Sequence, residues 1–289
     1  MKKYNKTIAL CALSLLFISS CAPSNSLTVP TVDSSAVEIS KSDAKIIFDA
    51  CKDAYFAREK LANEYKIGNN ARIESENYNY QESIDPSSDT KLIQENKDTV
   101  NLEYSFQDKY LNLVESHYVK VVSINKSGKE NTDFEQLITA NASINKVGEE
   151  IHYIYENHDS YYPENCININ ETYSYNNNFQ KFHNQYFNHI YPIIIYEGIL
   201  YFFDYLNYFN EFNTHLFELN EKYYSKGEGS LIVEVTYKEN ENWTTTEYYE
   251  FNNYLCVLHS YSSLNKEDFG EYLNTGITKF EYDNVVPKF

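Results

Sequence analysis

Histidine and cysteine are the residues of this 289-residue chain best suited to metal binding, and their spacing gives no metal motif. No two histidines have the helical spacing of a zinc protease. The one Cys-x-x-His run, from Cys256 to His259, has no second matching pair. The sequence therefore predicts no metal ion and no other cofactor. We interpret the isolated histidines as surface or capping residues; they are His117, His152, His158, His183, His189, His215 and His259.

Serine followed three residues later by lysine occurs at Ser42, Ser123 and Ser143. This is the nucleophile pattern of penicillin-binding enzymes, in which S-D-N and K-T-G motifs complete the site. Neither companion motif is present, so the three matches indicate coincidence. His158-Asp159 is the best acid–base pair and is typical of a loop. Because no nucleophile, base and orienting group can be named together, we predict that the chain is not an enzyme and has no catalytic residue.

One cysteine has a context that implies chemistry. Cys21 follows a basic N-terminus, with Lys2, Lys3 and Lys6, and a short apolar segment that ends in the small residues of 18–20. This is the three-part layout of a secretory signal with its cleavage site. A transmembrane helix needs about 20 apolar residues, and this segment is shorter. An ordinary cleaved signal followed by a chance cysteine is the alternative interpretation.

The sequence Ile-Ser-Ser-Cys at 18–21 resembles the lipobox of bacterial lipoproteins. In that family the cysteine sulfur receives a diacylglyceryl group, and cleavage leaves the cysteine as the first residue. Two acyl chains hold a protein stably on a membrane, whereas one chain binds marginally. The resemblance implies a protein anchored to the extracytoplasmic face of the cell membrane through Cys21.

Charge and composition limit the partners. The chain has 24 Lys and Arg against 42 Asp and Glu, a net charge of −18, and loss of residues 1–20 removes three lysines and no acid, which gives −21. A surface this acidic predicts no binding to nucleic acid and no adhesion to anionic headgroups. The 29 tyrosines and the abundant asparagines share A/T-rich codons. We interpret them as genomic bias rather than as a binding surface, although the two can coexist.

Three cysteines follow Cys21, namely Cys51, Cys166 and Cys256. In an exported protein two of them can form a disulfide, with three alternative pairings. Three unlinked thiols are the other interpretation, because cysteine also behaves as a small hydrophobic residue. The sequence does not choose between them.

The chain divides into a signal peptide at 1–20, a flexible tether at 21–40 that is rich in Ser, Pro and Thr, and a single domain at 41–289. Ser40-x-x-Asp43 predicts the start of an amphipathic helix that ends near Gly68. From Val100 to Phe106 apolar and polar residues alternate, as in a half-buried strand. Similar runs with short turns recur along the chain and predict antiparallel meanders.

Residues 193–211 predict a helix that is apolar almost all round, broken by a stripe of Glu197, Asp204 and Glu211. Such a helix is either buried in the core or lines an apolar cavity. The two alternatives stay open. The candidate ligand-binding residues are Phe202, Phe203, Leu206 and Phe209.

The order of lipobox, tether, helix, strands, internal apolar helices and closing meander resembles the LolA/LppX-like superfamily of bacterial lipoproteins. The runs from Trp243 to Leu258 and from Lys279 to Asn284 are similar to its closing hairpins. The resemblance implies an α+β fold, in which a curved, half-barrel-like antiparallel sheet has helices packed on its concave face. We therefore expect a non-catalytic binding module for a lipid or other hydrophobic small molecule. A surface interaction or structural lipoprotein without a ligand pocket is the alternative.

Overall fold

A computed structural model describes residues 30–63, 70–85, 87–105, 110–174, 218–238, 240–267 and 270–282. Cys21 lies outside these described residues, as do the four candidate ligand-binding residues Phe202, Phe203, Leu206 and Phe209. Lipid attachment and an apolar-ligand site at those positions therefore stay predictions. The boundaries of the signal peptide, tether and single domain also stay predictions.

Within the described ranges the chain forms twelve strands, one α-helix and a 3₁₀ turn at Pro163–Asn165. The helix, α1, is Lys41–Asn63. The strands are β1 (Val37–Glu38), β2 (Asn70–Asp85), β3 (Thr90–Ser105), β4 (Tyr110–Ile124), β5 (Glu130–Val147), β6 (Glu150–Asp159), β7 (Asn168–Ser174), β8 (Glu218–Ser225), β9 (Leu231–Lys238), β10 (Trp243–Asn252), β11 (Leu255–Glu267) and β12 (Gly270–Tyr282).

These strands form one antiparallel sheet in the order β1-β8-β9-β10-β11-β12-β2-β3-β4-β5-β6-β7. The sheet consists of two meanders, β2–β7 and β8–β12, in which each strand pairs with the next along the chain. Strands β12 and β2 join the meanders, in register from Gly270 opposite Ser83 to Tyr282 opposite Ala71. Because of this junction, both meanders share the same two faces.

The expected α+β fold, with helices packed on the concave face of a half-barrel-like sheet, is wrong. The described residues are mostly strand, and their one α-helix packs on only part of the sheet, at β8 to β11. Strands β2–β5 are 15 to 18 residues long, and on one face of the sheet their buried apolar side chains lie at one end. Hydrogen bonds to neighbours on both sides continue these strands where the apolar pattern stops. The pattern therefore predicted shorter strands than the chain forms, and helices to cover them.

The start of α1 is as the sequence predicts. The Asp43 backbone N–H donates to Ser40 Oγ at 3.1 Å, and the Ser40 hydroxyl donates to Asp43 Oδ2 at 2.7 Å. The first bond is the N-cap half of a capping box. The second joins two side chains, whereas a full box would pair the Asp43 carboxylate with the Ser40 backbone N–H. The cap fixes the first turn of the helix that packs on the sheet.

Apolar side chains gather at one end of the long strands, on one face that we call the core face. Ile73, Leu102, Leu113 and Ala142 lie directly opposite one another across β2 to β5. Each is at most 4% exposed. Burial of such rows supplies the main favourable term for folding, because apolar surface leaves water.

Helix α1 covers the part of the core face that belongs to the second meander. Ala44 and Cys51 on the helix lie in one buried cluster with Phe251 and Cys256. The ring of Phe48 meets that of Phe251 edge-on, with 6.4 Å between their centroids. Burial raises the pKa of the Cys51 and Cys256 thiols to about 12, so both stay protonated and unreactive at neutral pH.

The core contact of Phe251 can be tested by truncation. Phe251 is 1% exposed, so Phe251→Ala should lower the free energy of unfolding by about 3–5 kcal/mol in urea titrations. The control is Ile46→Ala on α1, where the side chain is 70% exposed and the change should stay within about 0.5 kcal/mol. An effect at Phe251 as small as that at Ile46 would contradict this packing.

Candidate ligand-binding surface

The core face changes character towards the other end of the strands. Beyond the apolar rows it carries amides, hydroxyls and aromatic rings on β10, β11, β12, β2 and β3. We call this region the amide surface. The strand register places its residues on one face; they are Asn77, Asn79, Gln81, Gln94, Asn96, Trp243, Tyr261, Ser263, Tyr272 and Asn274.

Cross-strand pairing sets the positions of the amides. Asn79 on β2 lies opposite Asn274 on β12 and opposite Asn96 on β3. Gln81 lies opposite Gln94 in the next row. Neighbouring strands are about 4.8 Å apart, so five strands present these groups over a width of about 20 Å.

Hydrogen bonds between side chains orient the amides. Asn79 Nδ2 donates to Tyr272 Oη at 3.1 Å, and Gln94 Nε2 donates to Asn96 Oδ1 at 3.3 Å. An amide group has two N–H donors and two acceptor positions. Each of these hydrogen bonds uses one of the four positions of an amide. It also fixes the directions in which the other three positions point.

The Tyr261 side chain, on β11, lies against Gly276 of β12. A Cβ atom at Gly276 would lie 2.3 Å from Tyr261 Cε1 and 2.5 Å from Asn77 Oδ1, so a larger residue would displace both side chains. The Tyr261 hydroxyl donates to Asn274 Oδ1 at 3.2 Å. Burial raises the pKa of Tyr261, which keeps its proton on the hydroxyl. Gly276 thus lets an aromatic ring and an amide meet where the two meanders join.

Trp243, the one tryptophan of the chain, lies at the margin of the amide surface. Its indole N–H donates to Ser263 Oγ at 2.8 Å, and Ser263 is also hydrogen-bonded to Thr245 Oγ1 at 2.9 Å. The ring centroid is 6.4 Å from that of Tyr272, with an angle of 59° between the planes. Two aromatic rings therefore stand beside the amides.

The opposite face of the same strands is charged. Tyr78 Oη donates to Glu95 Oε1 at 3.2 Å, and Lys91 Nζ lies 2.6 Å from Glu82 Oε2. Burial, with the nearby Glu95 carboxylate, raises the pKa of Tyr78 to about 12. In contrast, all six amide side chains within 76–82, 93–99 and 271–278 point to the amide surface.

A small cluster separates the apolar core from the amide surface. The Tyr249 hydroxyl donates to Glu247, whose side chain is almost fully buried. The His259 ring stacks on that of Tyr249, with centroids 4.5 Å apart, and its Nε2 is 3.6 Å from Glu247 Oε2. Burial, reinforced by the Glu247 charge, raises the pKa of Tyr249 well above its usual value. The phenol therefore keeps its proton and serves as a donor to a buried carboxylate.

The pair His158-Asp159 ends β6, just before a turn, and does not form an acid–base couple. The Asp159 carboxylate accepts two contacts of 3.0 Å from Gln136 Nε2 and hydrogen bonds from two backbone N–H groups of the following turn. These bonds, that from Gln136 first, lower the pKa of Asp159. The exposed Cys166 sulfur lies 3.7 Å from His158 Nδ1. Because Asp159 is occupied by the turn, it does not orient this His–Cys contact.

A metal site would need several ligating side chains close together in the described part of the chain. There, no three His, Cys, Asp or Glu side chains come close enough to hold a metal ion. No helix in the same ranges combines the length and apolar character needed to cross a bilayer. In the Cys256-x-x-His259 run, the cysteine belongs to the apolar core and the histidine contacts Tyr249.

Sequence reasoning missed the amide surface because the asparagines and tyrosines were interpreted as codon bias. The available signal was the strict alternation of amides with Tyr or Glu from Glu76 to Glu82. Alternation of this kind places all the amides of a strand on one face. No protein-family model matches the chain, and no curated protein matches it. The function must therefore be argued from the surface itself.

The boundary cluster makes a testable contribution to stability. Glu247→Ala removes the acceptor of the buried Tyr249 hydroxyl and should lower the free energy of unfolding by about 1–3 kcal/mol. Glu247→Gln retains an oxygen acceptor and should cost clearly less. Thermal and urea unfolding of the two variants check this. Equal losses would mean that the hydrogen bond is not what stabilises the cluster.

Proposed function

We propose that this protein is a lipid-anchored, extracytoplasmic binding protein without catalytic activity, and that the amide surface holds its ligand. The proposed anchor rests on the lipobox-like residues at 18–21. The proposed binding site rests on one observation, namely that the six amides of the three central strand segments share a face.

Codon bias does not explain this segregation. A bias in composition acts on every position of a strand and does not distinguish its two faces. Asn is also disfavoured in strands, so asparagines along central strands lower the stability of the sheet. Their presence there is explained if they bind a ligand. The opposite face of the same segments carries charged side chains that suit a solvated surface, such as the ion pair of Lys97 and Glu76.

The chemistry of the surface favours binding over catalysis. Amides and hydroxyls form hydrogen bonds without gaining or losing a charge near neutral pH, and they are weak nucleophiles. Side chains with these properties orient a ligand and give specificity.

An apolar ligand bound by Phe202, Phe203, Leu206 and Phe209 is a second candidate. It is favoured by the nearly all-round hydrophobicity of 193–211 in the sequence. A lipoprotein with a structural role and no ligand is the third. The experiment below separates the three.

Hydrogen exchange can locate the binding site. Mature protein from membranes, held in a detergent without a sugar headgroup, is mixed separately with the lipid, protein and glycan fractions of the cell envelope. We expect slower exchange in peptides covering 72–83, 91–99 and 259–277 with one fraction. Protection only by lipid, and only outside these peptides, would favour the apolar-ligand candidate. No protection by any fraction would contradict a binding function and favour the structural role.

The anchor is tested by mass spectrometry of membrane-extracted protein. The mature N-terminus should be Cys21 carrying a diacylglyceryl adduct, because the acyl chains attach at the lipobox cysteine. Cys21→Ser should abolish both processing and lipidation, whereas Cys166→Ser, at a cysteine outside the lipobox, should change neither. Normally matured, unlipidated native protein in the medium would overturn this part of the proposal.

A further inference from the structure

We propose that the ligand of the amide surface is a neutral carbohydrate chain, an inference that rests on the binding function proposed above. It follows from the donors and acceptors of the surface, from its low charge and from its aromatic rings.

The hydrogen-bonding groups of the surface match those of a sugar. A sugar hydroxyl donates one hydrogen bond and accepts others, so its best partners offer donors and acceptors side by side. Asn79, Asn96 and Gln94 each offer both, and they lie on adjacent strands. The hydrogen bonds from Gln94 to Asn96 and from Asn79 to Tyr272 orient these amides before a ligand binds. Groups oriented in advance lose less entropy on binding.

The charge of the amide surface and of the whole chain argues against anionic ligands. On the core-face side of 76–82, 93–99 and 271–278, the one charged side chain is Asp98, and His117 Nδ1 contacts its carboxylate. The surface offers no lysine or arginine among its defining residues, and the whole chain carries −18. Phosphorylated, sulfated or otherwise anionic ligands would be repelled. A neutral ligand has no such penalty.

Aromatic rings supply the second feature that a sugar needs. Pyranose rings have C–H faces that pack on flat aromatic surfaces and remove apolar area from water. Trp243 and Tyr272 stand together at one margin, with ring centroids 6.4 Å apart. Tyr261 lies nearer the middle, over Gly276. A chain of several sugars can therefore contact the amides and these rings along the same surface.

Lipid and protein ligands fit less well. An acyl chain would remove the amides from water without replacing their hydrogen bonds, which is unfavourable for each amide group. Stable protein interfaces have a dry, apolar centre with a few dominant anchors. The middle of the amide surface holds Asn77, Asn79 and Asn96 instead. Protein binding is kept as an outcome of the test.

The single tryptophan is a built-in reporter. Mature full-length protein is titrated with neutral hexasaccharides of glucose, mannose, galactose and N-acetylglucosamine, in a detergent without a sugar headgroup. We expect a saturable change in Trp243 emission with at least one of them, because the ring lies at the margin of the site. The same sugar should slow hydrogen exchange in peptides covering 72–83 and 91–99.

Two asparagines on opposite faces of β3, Asn96 and Asn101, provide matched variants. Asn96→Asp keeps the Oδ1 acceptor of Gln94 but removes two donors and adds a charge, so sugar affinity should fall about tenfold or more. Asn101→Asp makes the same change on the other face, five residues along the strand, and should leave affinity unchanged. Equal losses in both variants would overturn the assignment.

Different results would contradict carbohydrate binding alone and the binding function as a whole. If no hexasaccharide changes Trp243 emission but the envelope protein fraction protects 72–83 and 91–99, the surface binds a protein and the carbohydrate inference is wrong. If neither sugars nor any envelope fraction protects these peptides, the binding function itself is wrong.

Discussion

The pairing of β12 with β2 is the contact on which the rest of this structure depends. It aligns 71–83 with 270–282 over thirteen residue pairs and turns two meanders into one sheet. Without it, each meander would expose a long open edge. The junction also creates the candidate site, because Asn79 and Tyr272, which share a hydrogen bond, come from different meanders. Gly276 makes the close approach at the junction possible, since a side chain there would overlap Tyr261 and Asn77.

The two halves of the core face have different tasks. At one end of the strands, rows such as Ile73, Leu102 and Leu113 exclude water and stabilise the sheet. At the other end of β12, β2 and β3, polar side chains occupy the same face while the backbone pairing continues. Glu247 and Tyr249 lie between the two, where a buried carboxylate is satisfied by a protonated phenol. A rigid apolar end can thus hold a polar surface in a fixed geometry.

Local patterns were predictable from the sequence and long-range ones were not. The N-cap at Ser40 is as the sequence predicts, and the alternation at Val100, Asn101 and Leu102 gives two buried side chains around an exposed one. The fold class was wrong because the strands extend past their apolar ends, where periodicity gives no hydrophobic signal. The amide surface was missed for a related reason. Asn79 acquires its neighbours Asn274 and Tyr272 from a strand almost 200 positions away, and no local pattern encodes that pairing.

The same junction sets an order of events during synthesis. β2 ends at Asp85 and β12 begins at Gly270, so 184 residues separate the two partners along the chain. At about 5–20 residues per second, the ribosome needs roughly 10 to 40 s to make the second after the first. For that interval one edge of β2 has no partner strand within the nascent chain. Glu74, Glu76 and Glu82 give β2 a negative charge. Two nascent copies therefore repel each other at this unpaired edge, which disfavours their pairing.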